Sequence, residues 1–288
     1  MTVPTEDAGR GRLESQRDGA ARPAMPVKVR RLAVTSVVLF WAVQLTLMLV
    51  VGLPLLDSVL LAVLLVAVPG LSVAQLPLIA GAPVERLPAY WSSIATLWLL
   101  GTACWFVGTR EGGAAAIGLV SMPWLALTVW TGALVLGGLL TILVFRAVAL
   151  WSGIEESPMV RRLLPRTHEE RHAFGALSVA AGFGEEISYR GYALSVLVPV
   201  LGVPGAVLLT SGVFGVLHGY QGVLGIFRTG VMGGMLAWGF LASGSLWPPI
   251  IAHALIDLVA GLWLGERLLS PEPLLGVRGA SAINPFER

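Results

Sequence analysis

Six side chains in the C-terminal half of this 288-residue chain could do chemistry together. Glu185-Glu186-Ile187-Ser188-Tyr189-Arg190 sets two adjacent carboxylates and an arginine into a stretch that is otherwise apolar from about Phe174 to Val200. Phe214-Gly215-Val216-Leu217-His218 and His253-Ala254-Leu255-Ile256-Asp257 put histidine and a further carboxylate into two other apolar segments, using two of the chain's four histidines. On an α-helix, residues four apart share a face, so Glu186 and Arg190 can pair in the favourable acid-first order. A rotation of about 100 degrees separates neighbours, which leaves Glu185 free to face a cavity. Phe214 shares a face with His218, and His253 with Asp257, by the same spacing. A carboxylate and two imidazoles converging from three helices could bind and activate water. The carboxylate would act as general base, one imidazole would assist, and a further donor would stabilise the developing oxyanion. That is the minimum for hydrolysis.

These groups must be positioned by membrane helices. At 56% hydrophobic and 12% charged, the chain is far from the soluble average of about one quarter charged residues, and its mean hydropathy is +0.80. The composition predicts an integral membrane protein: an all-α, polytopic helix bundle. Apolar runs of about 20 residues, enough to cross a bilayer, read as roughly Leu32 to Gly52, Val59 to Ala80, Ala89 to Gly108, Pro123 to Leu150, His172 to Val198, Val203 to His218, Gly222 to Ala242 and Trp247 to Leu264. The expectation is therefore about eight spans, the sixth of them short. Pro69-Gly70 falls within the second and reads as a kink, with a helix broken at a cavity as the sharper alternative. An unpaired charge at bilayer depth costs on the order of 3 kcal/mol or more. Three together at residues 185–190 need partners or a wet cavity.

Residues 1–31 mix arginines with acids and read as a disordered cytoplasmic tail rather than a cleavable signal peptide. Residues 32–151 read as scaffold spans, 152–171 as a cytoplasmic loop, 172–265 as the spans that carry the chemistry, and 266–288 as a C-terminal tail. The scaffold spans contain almost no ionisable residues except Arg146, whose long stem is expected to snorkel to the headgroups, as is that of Arg228. Lys28, Arg30 and Arg31 before the first span, and Arg161, Arg162, Arg166 and Arg171 after the fourth, place both flanks and both termini in the cytoplasm by the positive-inside rule. The same flanks explain the net charge of +2, so no nucleic-acid partner is implied. Gly215 with Gly219, and Gly230 with Gly234, have the spacing that lets membrane helices approach closely. Cys104 is the only cysteine, which excludes an intrachain disulfide.

The ordered set Glu-Glu-x-x-x-Arg, Phe-x-x-x-His and His-x-x-x-Asp or Asn on successive membrane helices resembles the CPBP family of intramembrane endopeptidases, which includes the CaaX-processing Ras-converting enzymes and bacterial Abi proteins. The resemblance covers about residues 170 to 265, and Arg190-Gly191 extends the first motif. It implies peptide-bond hydrolysis of a membrane-associated protein or peptide inside a bilayer-embedded cavity, in a bacterial plasma membrane. By position it makes Glu185 the catalytic glutamate and His218 its helper in activating water. Glu186 and Arg190 complete the first motif, and His253 with Asp257 would bind the oxyanion or a metal.

Where that last position is asparagine, its amide can donate to an oxyanion, whereas Asp257 donates only when protonated. An ionised Asp257 would accept from His253 or bind metal, and Glu185, His218, His253 and Asp257 form an acceptable oxygen and nitrogen set for a divalent ion such as zinc. Metal-dependent and glutamate-based hydrolysis both remain open on these residues. A second metal pattern, His168-Glu169-Glu170-Arg171-His172, satisfies H-E-x-x-H literally. Its intervening residues are both charged and it follows Pro165 in the arginine-rich loop, so it reads as a solvated helix start. Two rival functions stand beside hydrolysis. One is a proton- or ion-coupled transporter, in which the acids and histidines relay protons, and the other is a catalytically silent bacteriocin-immunity protein. No inverted repeat supports the transporter.

Overall fold

A computed structural model describes residues 27–79, 83–154 and 156–265, and contains no strand among them. The tails expected at either end lie mostly or wholly outside the described residues. The first helix, α1, spans Val27–Leu49 and so begins earlier than Leu32. Arg30 and Arg31 are exposed near its start, where long cationic stems reach water from a helix entering a bilayer. The second span is continuous through α2 (Leu55–Ala62), a π turn (Val63–Ala67) and α3 (Val68–Ile79). Then come α4 (Arg86–Thr109), α5 (Trp124–Ser152), the short α6 (Pro158–Leu163) and α7 (His168–Glu185). A nine-residue π segment, Glu186–Leu194, leads into α8 (Ser195–Leu217). Finally come α9 (Val223–Ser243) and α10 (Trp247–Val259), the latter ending in a π turn, Ala260–Leu264.

Seven helical stretches among the described residues are long and apolar enough to cross a membrane, and one of them, His168–Leu217, is 50 residues long. It folds back on itself. Gly202 sits at φ 68° and ψ 167°, a conformation closed to residues with a side chain. Tyr189 and Phe214, far apart in sequence, consequently meet with ring centroids 5.7 Å apart. The hairpin supplies the fifth and sixth of the spans expected from sequence.

The second span is neither broken nor simply kinked. In the π turn the Val68 N–H bonds the Val63 carbonyl, five residues back. The next donor in that register would come from Pro69, which has no N–H, so the Leu64 carbonyl is left for another partner. The Tyr189 hydroxyl takes it at 3.2 Å. A proline in the scaffold thus anchors the π segment that follows the acidic pair.

Close helix packing draws the C-terminal spans together. A Cβ on Gly184 of α7 would stand 2.6 Å from the Leu97 carbonyl oxygen of α4, and one on Gly182 would stand 2.6 Å from that of Ile250 in α10. Gly215 faces Ile226 and Gly230 across the α8–α9 contact, as the small-residue spacing implies. The outer surface carries exposed Leu99, Phe106, Leu136 and Leu208, apolar faces that suit lipid.

The scaffold does hold one deep carboxylate, contrary to the expectation from sequence. Asp57 begins α2 and is 5% exposed. It pairs with Arg110 beyond the end of α4 and accepts from the Tyr192 hydroxyl at 2.9 Å. Because the second span starts at Leu55 rather than Val59, this acid belongs to the helix rather than to a loop.

Candidate active site

α7 starts with a Thr167 cap. The Glu170 N–H donates to Thr167 Oγ1 at 3.2 Å, and the Thr167 N–H donates back to Glu170 Oε2 at 3.1 Å, the reciprocal capping box. His168, Glu169 and His172 are exposed around this start, with the two imidazole centroids 4.5 Å apart. The literal H-E-x-x-H pattern is a helix cap with its face in solvent.

At the other end of α7 the helix widens, and the two acids part. Glu185 is the last α-helical residue and lines a cavity of about 670 Å³, whereas Glu186 opens the π segment and is fully buried. Glu186 Oε1 accepts from Arg190 Nη1 at 2.7 Å, the pair expected from their spacing. Taking two charges out of water is costly, and they hold only because they meet each other and further polar groups. The Arg190 guanidinium lies 4.2 Å from the Phe214 ring centroid, a cation–π contact. Gly233 of α9 makes room for it, since a Cβ there would approach Arg190 Nη2 to 2.9 Å.

Two histidines face the same cavity, each with one ring nitrogen fixed. His253 Nδ1 lies 2.8 Å from Glu186 Oε1. Because the carboxylate can only accept, Nδ1 carries the proton and Nε2 is turned toward Glu185 Oε2 at 3.6 Å and Asp257 Oδ2 at 3.7 Å. His218 Nδ1 donates to the Phe214 carbonyl at 2.9 Å, leaving Nε2 as the acceptor. Phe214 separates the imidazoles, its centroid 4.9 Å from that of His218 and 6.0 Å from that of His253. Asp257 is one turn from His253, with 39% of its side chain exposed. Glu185, His218, His253 and Asp257 therefore line one cavity, and Glu186 and Arg190 stand behind it.

As a metal site the arrangement is only partly suited. Both histidines have one N–H engaged, as metal-ligating imidazoles usually do. Yet among the described residues no three His, Cys, Asp or Glu side chains are grouped so as to hold an ion, and the expected set of Glu185, His218, His253 and Asp257 is no exception.

Several groups at the site are not marked by the sequence motifs. Tyr189 and Tyr192 bolt the π segment to the scaffold through Leu64 and Asp57, and a lone acid in the apolar run after Val51 is the one sequence signal of that clamp. Arg228 does not simply snorkel: it pairs with Glu156 at 2.7 Å and donates to Gln221 Oε1 at 3.0 Å, tying α9 to the loop before α6. Cys104 is buried and lies away from the cavity wall.

Residues 169–259 match the family model of the type II CAAX prenyl endopeptidase, Rce1-like, a stretch that contains all three motifs. Neither the curated proteins nor the solved structures include a match to this chain. By this match, and by the ordered motifs that the bundle brings to one cavity, residues 169–259 are similar to the Rce1-like CAAX endopeptidases.

Proposed function

We propose that the protein is an intramembrane endopeptidase that hydrolyses a peptide bond of a membrane-associated protein or peptide, with water activated by Glu185. The observation that carries this reading is the division of labour between the paired acids. Glu186 is consumed by Arg190 and His253, while Glu185 faces the cavity beside His253 Nε2. A water held by Glu185 and His218 Nε2 would attack the carbonyl carbon as Glu185 takes its proton. An imidazolium at His253, with Nδ1–H already donated to Glu186, has Nε2–H left for the developing oxyanion. Glu185 then passes its proton to the leaving nitrogen, so that an amine and a carboxylate depart. Asp257 at the cavity edge is placed to orient His253 and to accept from the substrate backbone.

The arginine-rich ends of the helices set the topology of this reading. The cavity reaches Val160 and Leu163 of α6, beside Arg161 and Arg162, so a substrate would enter from the cytoplasmic face of a bacterial plasma membrane. Ser92, Ser93 and Thr96 on α4 line its wall and offer hydrogen bonds to an extended peptide.

The test is cleavage of a peptide library by purified protein in lipid, alongside Glu185→Gln, His218→Ala and His253→Ala. Each substitution should lower turnover by about a hundredfold or more, the scale of losing a general base or an oxyanion donor. Full activity in all three would overturn the site. A chelator should leave the wild type unaffected, whereas a loss restored by zinc would return Glu185, His218, His253 and Asp257 to the role of metal ligands. No cleavage by any form, together with proton-coupled uptake, would favour a transporter instead.

A further inference from the structure

Arg146 and Arg228, expected from the sequence to reach the headgroups, both line the cavity instead. The second begins a chain of hydrogen bonds that hydrolysis by Glu185 leaves unused. Arg228 Nη1 donates to Glu156 Oε1 at 2.7 Å, and Nη2 donates to Gln221 Oε1 at 3.0 Å. The Thr229 hydroxyl donates to the same Gln221 oxygen at 3.4 Å. A guanidinium can only donate, so the amide oxygen of Gln221 is fixed on that side and its NH2 group on the other. There Gln221 Nε2 donates to the Tyr220 hydroxyl oxygen at 3.2 Å.

From Arg228 through Gln221, this chain donates toward Tyr220. The phenolic oxygen is thereby an acceptor, and among the described residues its own proton has no acceptor. Tyr220 is half-buried in the cavity wall, its ring centroid 5.9 Å from that of His218. Burial pushes the hydroxyl up to about 12 against the pull of the Gln221 hydrogen bond, and the Asp257 and Glu185 carboxylates act in the same sense as burial. The hydroxyl therefore keeps its proton at neutral pH, a donor that the protein leaves unused. The local backbone is built to hold it there. In the turn Gly219–Gln221 the Gln221 N–H donates to the His218 carbonyl at 2.9 Å, and Gly222 follows at φ 86° and ψ 179°, a conformation open almost only to glycine. Gly225 leaves the space that Gln221 occupies, since a Cβ there would stand 2.3 Å from the Gln221 Cβ.

We infer that Tyr220 is a substrate-binding residue whose hydroxyl donates a hydrogen bond to a backbone carbonyl of the bound peptide, an inference that rests on the endopeptidase reading above. Gln221 and Arg228 are then positioning residues that keep its proton turned to the cavity. An extended peptide offers an uncharged carbonyl acceptor at every residue, which suits a neutral donor whatever the peptide's side chains. Ser92, Ser93 and Thr96 line the wall from α4, and Tyr220 adds a donor from the turn between α8 and α9. Because this bond is made in the ground state and persists through the reaction, its loss acts on binding rather than on the chemical step.

The test measures kcat and KM separately on a fluorescence-quenched peptide that the wild type cleaves, using the full chain in lipid with Tyr220→Phe, Gln221→Glu or both. Tyr220→Phe should raise KM about fivefold to tenfold, the scale of one uncharged hydrogen bond. Its kcat should stay within about twofold of wild type, as expected for uniform binding. Gln221→Glu keeps the bond to Arg228 but presents a carboxylate to Tyr220, which accepts the phenolic proton and turns it from the cavity. It should raise KM as much as Tyr220→Phe although the hydroxyl is retained, and the double variant should be no worse than either single one. A Tyr220 that merely packs predicts an unchanged KM in Gln221→Glu. An unchanged KM in either single variant, a fall in kcat alone, or additive losses in the double overturns the assignment, while cleavage itself leaves the endopeptidase reading standing. If the wild type cleaves no peptide, that reading fails separately, and fluorescence anisotropy of a labelled peptide pool decides Tyr220. Binding weakened alike by the two substitutions sustains it, and equal or absent binding overturns it.

Discussion

Two buried carboxylates in this bundle each hold an arginine, Asp57 with Arg110 and Glu186 with Arg190, and they differ in what surrounds the pair. Asp57 spends both oxygens, pairing with Arg110 and accepting from Tyr192, and none of its polar atoms is left buried without a partner. The Glu186 cluster is unfinished. Glu185 Oε2, Glu186 Oε2 and Arg190 Nη2 are all buried and unmatched among the described residues, and they gather beside the cavity. A closed network of this kind fastens helices together, whereas an open one keeps donors and acceptors available for a substrate or water. Both clusters touch the same π segment, Asp57 through Tyr192 and Glu186 as its first residue. The scaffold half of the chain therefore fixes from behind the groups that the C-terminal half presents in front.

This comparison can be broken by substitution. The largest expected effect on stability is that of Arg190→Met, which strands Glu186 in the bundle. Losing one member of a buried pair costs about 3–5 kcal/mol, or on the order of 10 °C in apparent Tm. Thermal melting in detergent checks this, and cleavage should vanish along with the fold. Asp57→Asn should cost less, about 1–2 kcal/mol, because the amide oxygen can still accept from Tyr192 and Arg110 is partly exposed. Its turnover should stay within a few-fold of wild type, and a loss as large as that of Glu185→Gln would show that the clamp belongs to the chemistry. Smallest is the double change His168→Ala with His172→Ala, expected to shift stability by no more than about 0.5 kcal/mol and to leave cleavage intact, since both rings are exposed at a helix start.

What the sequence made legible, and what it did not, follows the same division. Spacing within one helix is local, so the Glu186–Arg190 pair, the shared face of His253 and Asp257 and the solvated helix start at His168–His172 could all be read from the residues. The apolar runs located the spans, and the short sixth one emerged as the return arm of the Gly202 hairpin. Contacts between helices are not written in intervals. Nothing in the run Leu64 to Pro69 says that a carbonyl freed by the proline will be met by Tyr189, because that contact depends on how two distant spans pack. The π segment is hidden too, since it is held by those tertiary bonds from Tyr189 and Tyr192. Arg146 reads as a headgroup anchor in the sequence for the same reason: only the packing of α5 against α10 brings it to the cavity wall.

The most direct test of the account is a side-by-side comparison of Glu185→Gln and Glu186→Gln, reading peptide cleavage and apparent Tm on the same preparations. If Glu185 is the base and Glu186 the anchor, Glu185→Gln should melt within a few degrees of wild type yet lose about a hundredfold or more in kcat. Glu186→Gln should melt markedly lower, because Arg190 is left buried without its counter-charge. A stable, inactive Glu186→Gln beside an active Glu185→Gln would contradict the account and exchange the roles of the two acids.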